Sequence, residues 1–229
     1  MARVRAPGRL NQILEAGTDV FIAKGYRLAR IADVAEKAGV APATVHLYAA
    51  TKEALFDLAL RHALNDPTVA DEPLPYRAPP SAQFVERIWL RLIGTADFPL
   101  LRALTATVPD EGAEQELRGL LREGYRWMMR HHRALKLIER CAREWPELAA
   151  LFHLQFRREF RQRLTAHLDR RAAQGVLRAT PDAAIAARLI VETISYFGMH
   201  RHSAPDAQLD DARTEEVVLD MTTAALRLH

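Results

Sequence analysis

The stretch Ile31–Tyr48, IADVAEKAGVAPATVHLY, predicts two short helices joined by a tight turn. The apolar residues of its first half recur with the i, i+3, i+4, i+7 spacing of one helical face. Gly39 follows at once, and glycine most easily takes the left-handed conformation that ends a helix. Pro42 stands where the second helix would begin, because the first helical position tolerates a residue without an N–H.

These two helices fit the geometry of a helix-turn-helix unit. Ala35 is a small residue where the helices would cross, Gly39 is the turn residue and Val45 would pack back onto the first helix. Such a unit places its second helix in the major groove of DNA. The stretch therefore predicts a module that binds double-stranded DNA.

The composition sets limits on the class of protein. The chain has 229 residues, 49% hydrophobic and 27% charged, which is typical of a globular protein that needs no cross-links. The single cysteine, Cys141, allows no internal disulfide and favours a reducing cytosol. Charged residues interrupt every long apolar run, and the N-terminus lacks the apolar core of an export signal. We therefore expect a cytoplasmic protein with no membrane partner.

The positive charge is concentrated near the helix-turn-helix unit. Residues 1–64 contain nine Lys and Arg against six Asp and Glu, an excess of +3. The whole chain has 32 basic and 29 acidic residues, which leaves 23 of each sign in the remainder. A module that binds phosphates needs such an excess, although three charges in 64 residues can also arise by chance.

Nearly all of the chain has the pattern of helices, and the prediction is an all-α fold. Thr51 is a predicted N-cap, and Thr180, Pro181 and Asp182 are predicted as N-cap, first residue and first-turn acid of a later helix. Residues 67–80 hold five of the twelve prolines, which predicts a loop or linker, with a disordered tether as the alternative. The predicted helices are 10–24, 31–38, 42–48, 51–64, 81–95, 99–107, 113–131, 133–144, 147–173, 181–200 and 210–228.

The N-terminal stretch Leu10–Phe56 resembles the TetR family of bacterial transcriptional regulators. A looser similarity begins at Gly175 and continues into the helix after Pro181, where many such regulators enter their dimerising helix. The residues that carry the strong resemblance are Ile13, Ala16, Phe21, Gly25, Tyr26, Ile31, Val34, Ala35, Ala38, Gly39, Val40, Thr44, Val45, Tyr48 and Thr51–Phe56.

The resemblance implies an N-terminal three-helix DNA-binding domain, residues 1–50, and a helical ligand-binding and dimerisation domain, residues 51–229. Within the latter, 51–64 would be a connecting helix and 65–80 a Pro-rich loop. It also implies an arm, formed by Arg3, Arg5 and Arg9, along the DNA backbone or in a minor groove. The residues implied to meet DNA are Arg30, Ala41, Pro42, Ala43, Thr44, His46, Leu47, Tyr48 and Lys52.

Individual roles follow from chemistry. Thr44 would bond a phosphate or present its methyl group to thymine, and Lys52 and Arg30 would bind phosphates near helix N-termini. Tyr48 is alternatively a packing residue, and Lys52 a solvated charge. The family usually has Ser where this chain has Ala41 and Gly where it has Ala43, and these departures bear on base specificity.

The second half offers large apolar residues for a ligand pocket. Small-molecule sites have apolar walls with a few polar groups, and ordinary core packing is the alternative for each residue. The candidate ligand-binding residues are Trp89, Phe98, Leu101, Tyr125, Met128, Phe152 and Phe156.

The helices predicted at 181–200 and 210–228 suit a dimer interface. The first is apolar around much of its circumference, which indicates burial against its own domain and against a partner. Two such helices from each subunit would form a four-helix interface about a two-fold axis. We therefore expect a homodimer.

Other functional classes find little support. The sequence has no phosphate-binding loop, dinucleotide motif or nucleophile elbow, so we predict no enzyme activity. Glu139, Glu144 and Asp169 are interpreted as solvated helix charges. The histidines lack the spacing of metal ligands, and we predict neither a metal nor a cofactor.

The prediction is therefore a homodimeric transcriptional regulator that binds operator DNA specifically. It would be a repressor released by a small apolar or amphipathic effector, with 51–64 as the hinge. A ligand-dependent activator and a non-specific DNA-binding protein remain alternatives.

Overall fold

The computed structural model describes residues 8–79, 81–95, 112–203 and 209–227. The all-α prediction is confirmed: the described ranges contain helices and one isolated bridge between Ala49 and Tyr76, with no β-strand. The α-helices are α1 Arg9–Leu28, α2 Ile31–Lys37, α3 Pro42–His46, α4 Lys52–Ala63, α5 Ser81–Thr95, α6 Ala113–Arg130, α7 His132–Ala142, α8 Pro146–Ala149, α9 Arg158–Ala173, α10 Ala183–Ser195 and α11 Asp211–Ala224.

Two π-helical segments, Ala150–Arg157 and Tyr196–His200, and two 3-10 turns, Pro67–Asp71 and Arg201–Ser203, complete the described elements. Within the described ranges, no helix combines the length and the apolar character needed to span a bilayer.

The helix boundaries at the N-terminus follow the local signals. Gly25 interrupts α1 with a φ of 80°, which is the predicted end of that helix. Gly39 follows α2 with a φ of 62°, and Pro42 is the first residue of α3. Thr51 caps α4, since its side-chain oxygen accepts the N–H of Ala54 at 3.2 Å. Each of these sequence predictions is confirmed.

Two predicted boundaries were wrong. Helix α10 begins after Asp182, whose carboxylate accepts the N–H of Ile185 at 2.9 Å, so Asp182 is the N-cap in place of Thr180. A carboxylate competes well for this position because it carries a full negative charge at the helix N-terminus. The helix predicted at 147–173 is divided into α8, the π-helical segment and α9. The helix predicted at 99–107 lies outside the described residues.

The chain divides into two compact units. The first contains residues 1–95 and 133–152, and the second contains 96–132 and 153–229. This division places α4 and α7 in the same unit as the helix-turn-helix. The assignment of DNA binding to 1–50 and of ligand binding and dimerisation to 51–229 stays a prediction.

An apolar core joins α1, α2, α3 and α4 in the first unit. Its members are almost completely removed from solvent, as expected for a module in which each short helix covers the apolar face of the next. They include Ile13, Leu14, Phe21, Val34, Ala35, Val45, Leu55, Phe56 and Leu58.

The Pro-rich segment after α4 is an ordered part of the first unit. The N–H of Tyr76 donates to the carbonyl of Tyr48, and the N–H of Ala50 donates to the carbonyl of Tyr76, both at 2.9 Å. The buried guanidinium of Arg61 binds Asp66 at 2.9 Å and Glu72 at 2.5 Å. Residues 65–79, which include the 3-10 turn Pro67–Asp71, therefore pack against α4 and the residues after α3, and the role of this segment as a linker stays a prediction.

In the second unit, α6 packs against the π-helical segment Tyr196–His200 and α11. The approach at Gly198 is close, since an added Cβ would lie 3.2 Å from Met128 Cβ and from the carbonyl oxygen of Tyr125. Arg171 is buried in α9, and its guanidinium pairs with Glu116 of α6. These contacts connect the helices of this unit to one another.

Candidate nucleic-acid interface

The packing of α2 and α3 reproduces the predicted helix-turn-helix geometry. Ala35 and Val45 are completely buried where the helices meet, and the N–H of Val40 donates to the carbonyl of Ala35 at 2.9 Å. The amide of Gln12 donates to the carbonyl of Ala38 at 2.9 Å, which ties α1 to the end of α2. The turn before α3 is therefore held from two sides.

The opposite side of α3 faces away from this core. Ala41, Pro42, Ala43 and His46 are exposed, and so is Leu47, with 44% of its surface accessible. Thr44 is half-buried. This face combines small apolar groups with one hydroxyl and one imidazole, which suits close contact with base edges.

Tyr48 lies on the core side of this module. It is buried, and its carbonyl accepts the N–H of Tyr76. Its placement favours packing, the alternative role considered for Tyr48 from the sequence. A role in DNA contact stays a prediction for this residue.

Lys52 holds the turn between α1 and α2. Its ammonium donates to the carbonyls of Tyr26 at 2.9 Å, Ala29 at 3.2 Å and Arg27 at 3.3 Å. It also lies 4.6 Å from the centroid of the Tyr26 ring. Because an ammonium has three protons, these carbonyls use its full donor capacity. The structure thus gives Lys52 a structural role, and phosphate binding by Lys52 stays a prediction.

Arg30 immediately precedes α2 and is exposed. Its N–H donates to Asp33 Oδ2 at 2.9 Å, and Lys24 pairs with Asp33 Oδ1 at 2.9 Å. The hydrogen bond from Lys24, followed by that from the Arg30 backbone, lowers the pKa of Asp33. Among the described residues, the guanidinium of Arg30 has no hydrogen bond or ion pair, and it remains available to an anion.

Most of the predicted basic arm, Arg3, Arg5 and Arg9, lies outside the residues that the structure describes. Arg3 and Arg5 are not among the described residues. Arg9 is half-buried at the start of α1 and donates to Gln12 Oε1 at 2.9 Å.

Three of the candidate ligand residues, Tyr125, Met128 and Phe152, have described side chains. Tyr125 is buried and its hydroxyl donates to the carbonyl of Phe197 at 3.5 Å, and Met128 is half-buried with its sulfur 3.6 Å from Ser195 Oγ. Phe152 is buried in the other unit. Phe98 and Leu101, and the side chains of Trp89 and Phe156, lie outside the described part of the chain.

A large apolar groove runs along α10 and α11 in the second unit. Its volume is about 1120 Å³. Ile185 and Leu189 of α10 and Val217 and Met221 of α11 line it, and all four are exposed, Leu189 at 65% and Met221 at 70%. Contiguous exposed apolar surface of this kind marks an interaction site.

Sequence reasoning missed a set of contacts between the residues just after α7 and the end of α1. Glu144, interpreted from the sequence as a solvated charge, accepts the backbone N–H of Arg27 at 2.8 Å. Trp145 packs against Tyr26, with ring centroids 5.2 Å apart. A separation of 117 residues hides this contact from any local pattern.

Comparison with known protein families gives a match in the region of the helix-turn-helix. The model of the family described as "Bacterial regulatory proteins, tetR family" matches residues 13–59, which span the buried core and the exposed face of α3. This match identifies residues 13–59 as a DNA-binding module of the TetR family. The proteins described by this model are bacterial regulatory proteins, so the match supports a DNA-binding transcriptional regulator. No match was found among curated protein sequences.

Solved structures of transcriptional regulators share the fold over nearly the whole length. The probable transcriptional regulatory protein RHA5900 is 18% identical, with a TM-score of 0.62, over 96% of this chain and 100% of its own. KstR2 of Mycobacterium tuberculosis, described as a ketosteroid transcriptional regulator, is 16% identical, with a TM-score of 0.60 and 98% coverage of both chains. PfmR from Thermus thermophilus is 20% identical, with a TM-score of 0.52, over 93% of this chain and 96% of its own. Similarity at this identity establishes the fold alone.

Proposed function

We propose that this protein is a homodimeric repressor of the TetR family that binds an inverted-repeat operator and is released by a small apolar or amphipathic effector. The observation that carries the proposal is the pairing of two exposed surfaces: the solvent side of α3 and the apolar groove of α10 and α11. The first suits DNA and the second suits another subunit.

The reading surface would be the exposed side of α3. Thr44 and His46 supply hydrogen-bonding groups for bases or phosphates, and Leu47 supplies an apolar contact for a thymine methyl group. Ala41, Pro42 and Ala43 are short, which lets the N-terminus of α3 approach the groove closely. Arg30 would neutralise a phosphate beside it.

The groove of α10 and α11 would be covered by the same groove of a second subunit. A two-fold arrangement brings identical surfaces together, so α10 and α11 from each protomer would form a four-helix interface. A dimer would bind two half-sites at once, which raises affinity without any new contact to bases.

The effector would act through the spacing of the two reading modules. If DNA and effector prefer different spacings, each weakens the binding of the other by the same factor. Helix α4 would be the hinge, because it packs against α1 within the DNA-binding module. An activator would use the same parts with the opposite preference.

The test is selection of bound duplexes from a random DNA library, followed by sequencing, with sedimentation measured on the same protein. An inverted repeat bound by a dimer supports the proposal. Binding at low salt without any recovered motif would favour a non-specific DNA-binding protein, and a monomer bound to a single half-site would contradict the dimeric assignment. Adding a ligand library to the selected duplex then distinguishes release from promotion of binding.

A further inference from the structure

The turn that joins α1 to α2 is held by side chains from two distant helices. Lys52 of α4 binds three of its carbonyls, as described above. From beyond the C-terminus of α7, Glu144 Oε2 accepts the N–H of Arg27 at 2.8 Å. From α7 itself, Arg140 Nη2 donates to the carbonyl of Lys24 at 2.8 Å. We call Arg140 and Glu144 the clamp.

The clamp residues are also bound to each other. Arg140 Nη1 donates to Glu144 Oε1 at 2.8 Å, so each side chain fixes the orientation of the other while using its remaining groups on the turn. The hydrogen bond from the Arg27 backbone, assisted by Arg140, lowers the pKa of Glu144, which keeps it ionised. Charge-assisted hydrogen bonds of this kind are stronger than neutral ones.

Gly25 permits this approach. A Cβ at that position would lie 2.7 Å from Arg140 Nη1 and closer still to Glu144 Oε1. The φ of 80° at Gly25 also belongs to the left-handed region that other residues rarely adopt. The close contact between the turn and the clamp therefore requires glycine at position 25.

The consequence falls on Arg27. Its N–H is bound by Glu144 and its carbonyl by Lys52, so its backbone is held on both sides. Its side chain is exposed and, within the described ranges, makes no hydrogen bond or ion pair. A cation whose backbone is already ordered loses less freedom when it binds an anion.

Electrostatics alone does not explain Glu144. A carboxylate close to a DNA-binding surface repels phosphates, so its removal by itself should strengthen DNA binding. The geometry instead assigns it to the backbone of Arg27. We propose that the Arg140–Glu144 clamp positions the turn so that Arg27 binds a DNA phosphate, which makes α7 a second element, besides α4, that sets DNA affinity. This inference rests on the proposed operator-binding function.

The first experiment compares Glu144→Ala with Glu147→Ala, which removes the same charge from an exposed neighbouring position. The probe is the duplex recovered by selection and, in parallel, a 30-base-pair random-sequence duplex at several salt concentrations. We expect Glu144→Ala to bind about tenfold more weakly and Glu147→Ala to bind as well as the parent or more tightly. Equal or tighter binding by Glu144→Ala would overturn the proposal.

The salt dependence reports the phosphate contact itself. Loss of one phosphate contact lowers the slope of log K against log salt by about 0.9. Arg27→Ala and Glu144→Ala should each lower the slope by about this amount per half-site, while Arg143→Ala, an exposed arginine beside the clamp, should not. Because a purely structural weakening leaves the number of contacts unchanged, an unaltered slope in Glu144→Ala would refute positioning of Arg27.

A double-variant cycle separates coupling from coincidence. If Glu144 acts through Arg27, the double variant Arg27→Ala, Glu144→Ala should bind about as well as Arg27→Ala alone. Full additivity of the two losses would overturn the assignment. The conservative variant Glu144→Gln keeps an oxygen that accepts the Arg27 N–H, so it should bind within about threefold of the parent even if Glu144→Ala folds poorly.

Hydrogen exchange gives a readout without DNA. The Arg27 amide should exchange faster in Glu144→Ala, because this variant removes the carboxylate that accepts the Arg27 N–H. The exchange rate of the same amide should be unchanged in Glu147→Ala. An unchanged rate would show that the clamp does not hold the turn. If the parent protein binds both duplexes equally, sequence-specific regulation fails, but the clamp is still tested on the random duplex.

Discussion

The hydroxyl of Tyr76 donates a hydrogen bond to the carboxylate of Asp57, and both residues are buried. Tyr76 belongs to the Pro-rich loop and Asp57 to α4, so the bond fastens the loop to that helix. The same tyrosine also binds the backbone of Tyr48 and Ala50, directly after α3. The loop therefore supports the end of the proposed reading helix.

Tyr76→Phe should lower the free energy of unfolding by about 1–3 kcal/mol, because it leaves the Asp57 carboxylate buried without this donor. Urea denaturation measures the change. Tyr196→Phe, at an exposed tyrosine, is the control and should stay within about 0.5 kcal/mol. An equally small effect at Tyr76 would mean that water replaces the phenol at no cost.

Burial and the hydrogen bond to Asp57 raise the pKa of Tyr76 to about 12. The folded state then holds the phenolic proton more tightly than the unfolded chain, so its contribution is complete below about pH 10 and is lost between about 10 and 12. Parent stability should fall over this range by more than that of Tyr76→Phe. Denaturation series at several alkaline pH values compare the two.

The stability contributed by the ion pairs of Arg61 with Asp66 and Glu72 should decrease in acid. Burial alone would raise the pKa of Asp66, but hydrogen bonds from Thr68 and Arg61 lower it to about 2. Its contribution, of order 2 kcal/mol, is present above the unfolded value near pH 4 and is lost as the pH falls toward 2. Arg61→Ala should cost about 3 kcal/mol at neutral pH, because Glu72 loses this partner while Asp66 keeps Arg91 and Thr68. Arg77→Ala, at an exposed site, is the control.

Gly25→Ala should destabilise the protein by about 1–3 kcal/mol, because the new Cβ meets the clamp and the positive φ is strained. Thermal unfolding measures the change. Gly119→Ala provides a contrast of opposite sign: that glycine lies inside α6 with open space around it, and alanine should stabilise by about 0.5–1 kcal/mol. Destabilisation by Gly119→Ala as well would contradict the expected contrast between the two glycines.

The apolar groove can be tested by charge. Leu189→Glu and Met221→Glu should each yield monomers in sedimentation and weaken operator binding at least a hundredfold, because one half-site is lost and a carboxylate cannot be buried unpaired. Leu90→Glu places the same charge on an exposed leucine of α5 and should leave the oligomeric state unchanged. Dimers in all three variants would place the interface elsewhere.

Burial raises the pKa of the Cys141 thiol to about 12. The thiolate is the reactive form, and Cys141 has no exposed surface. The native protein should therefore react with a thiol reagent at pH 8 at least a hundredfold more slowly than the protein in denaturant. Rapid labelling without unfolding would show that the packing of α7 opens readily.

The features that the sequence predicted correctly depend on a few neighbouring residues. Gly39 and Pro42 set the turn of the helix-turn-helix because their backbone preferences hold in any context. Thr51 capped α4 for the same reason. The cap at α10 was missed because Thr180 and Asp182 both satisfy the local pattern, and the folded chain uses Asp182.

The sequence by itself determined the helical class, the helix-turn-helix and the exposed side of α3, since helical periodicity and turn chemistry act within a few residues. Only the tertiary structure decided that Lys52 turns to three carbonyls, that Tyr76 supports the end of α3 and that Glu144 holds Arg27. These contacts join residues 23 to 117 positions apart, and a polar side chain takes whichever partner the packed helices bring to it. No local pattern carries that information.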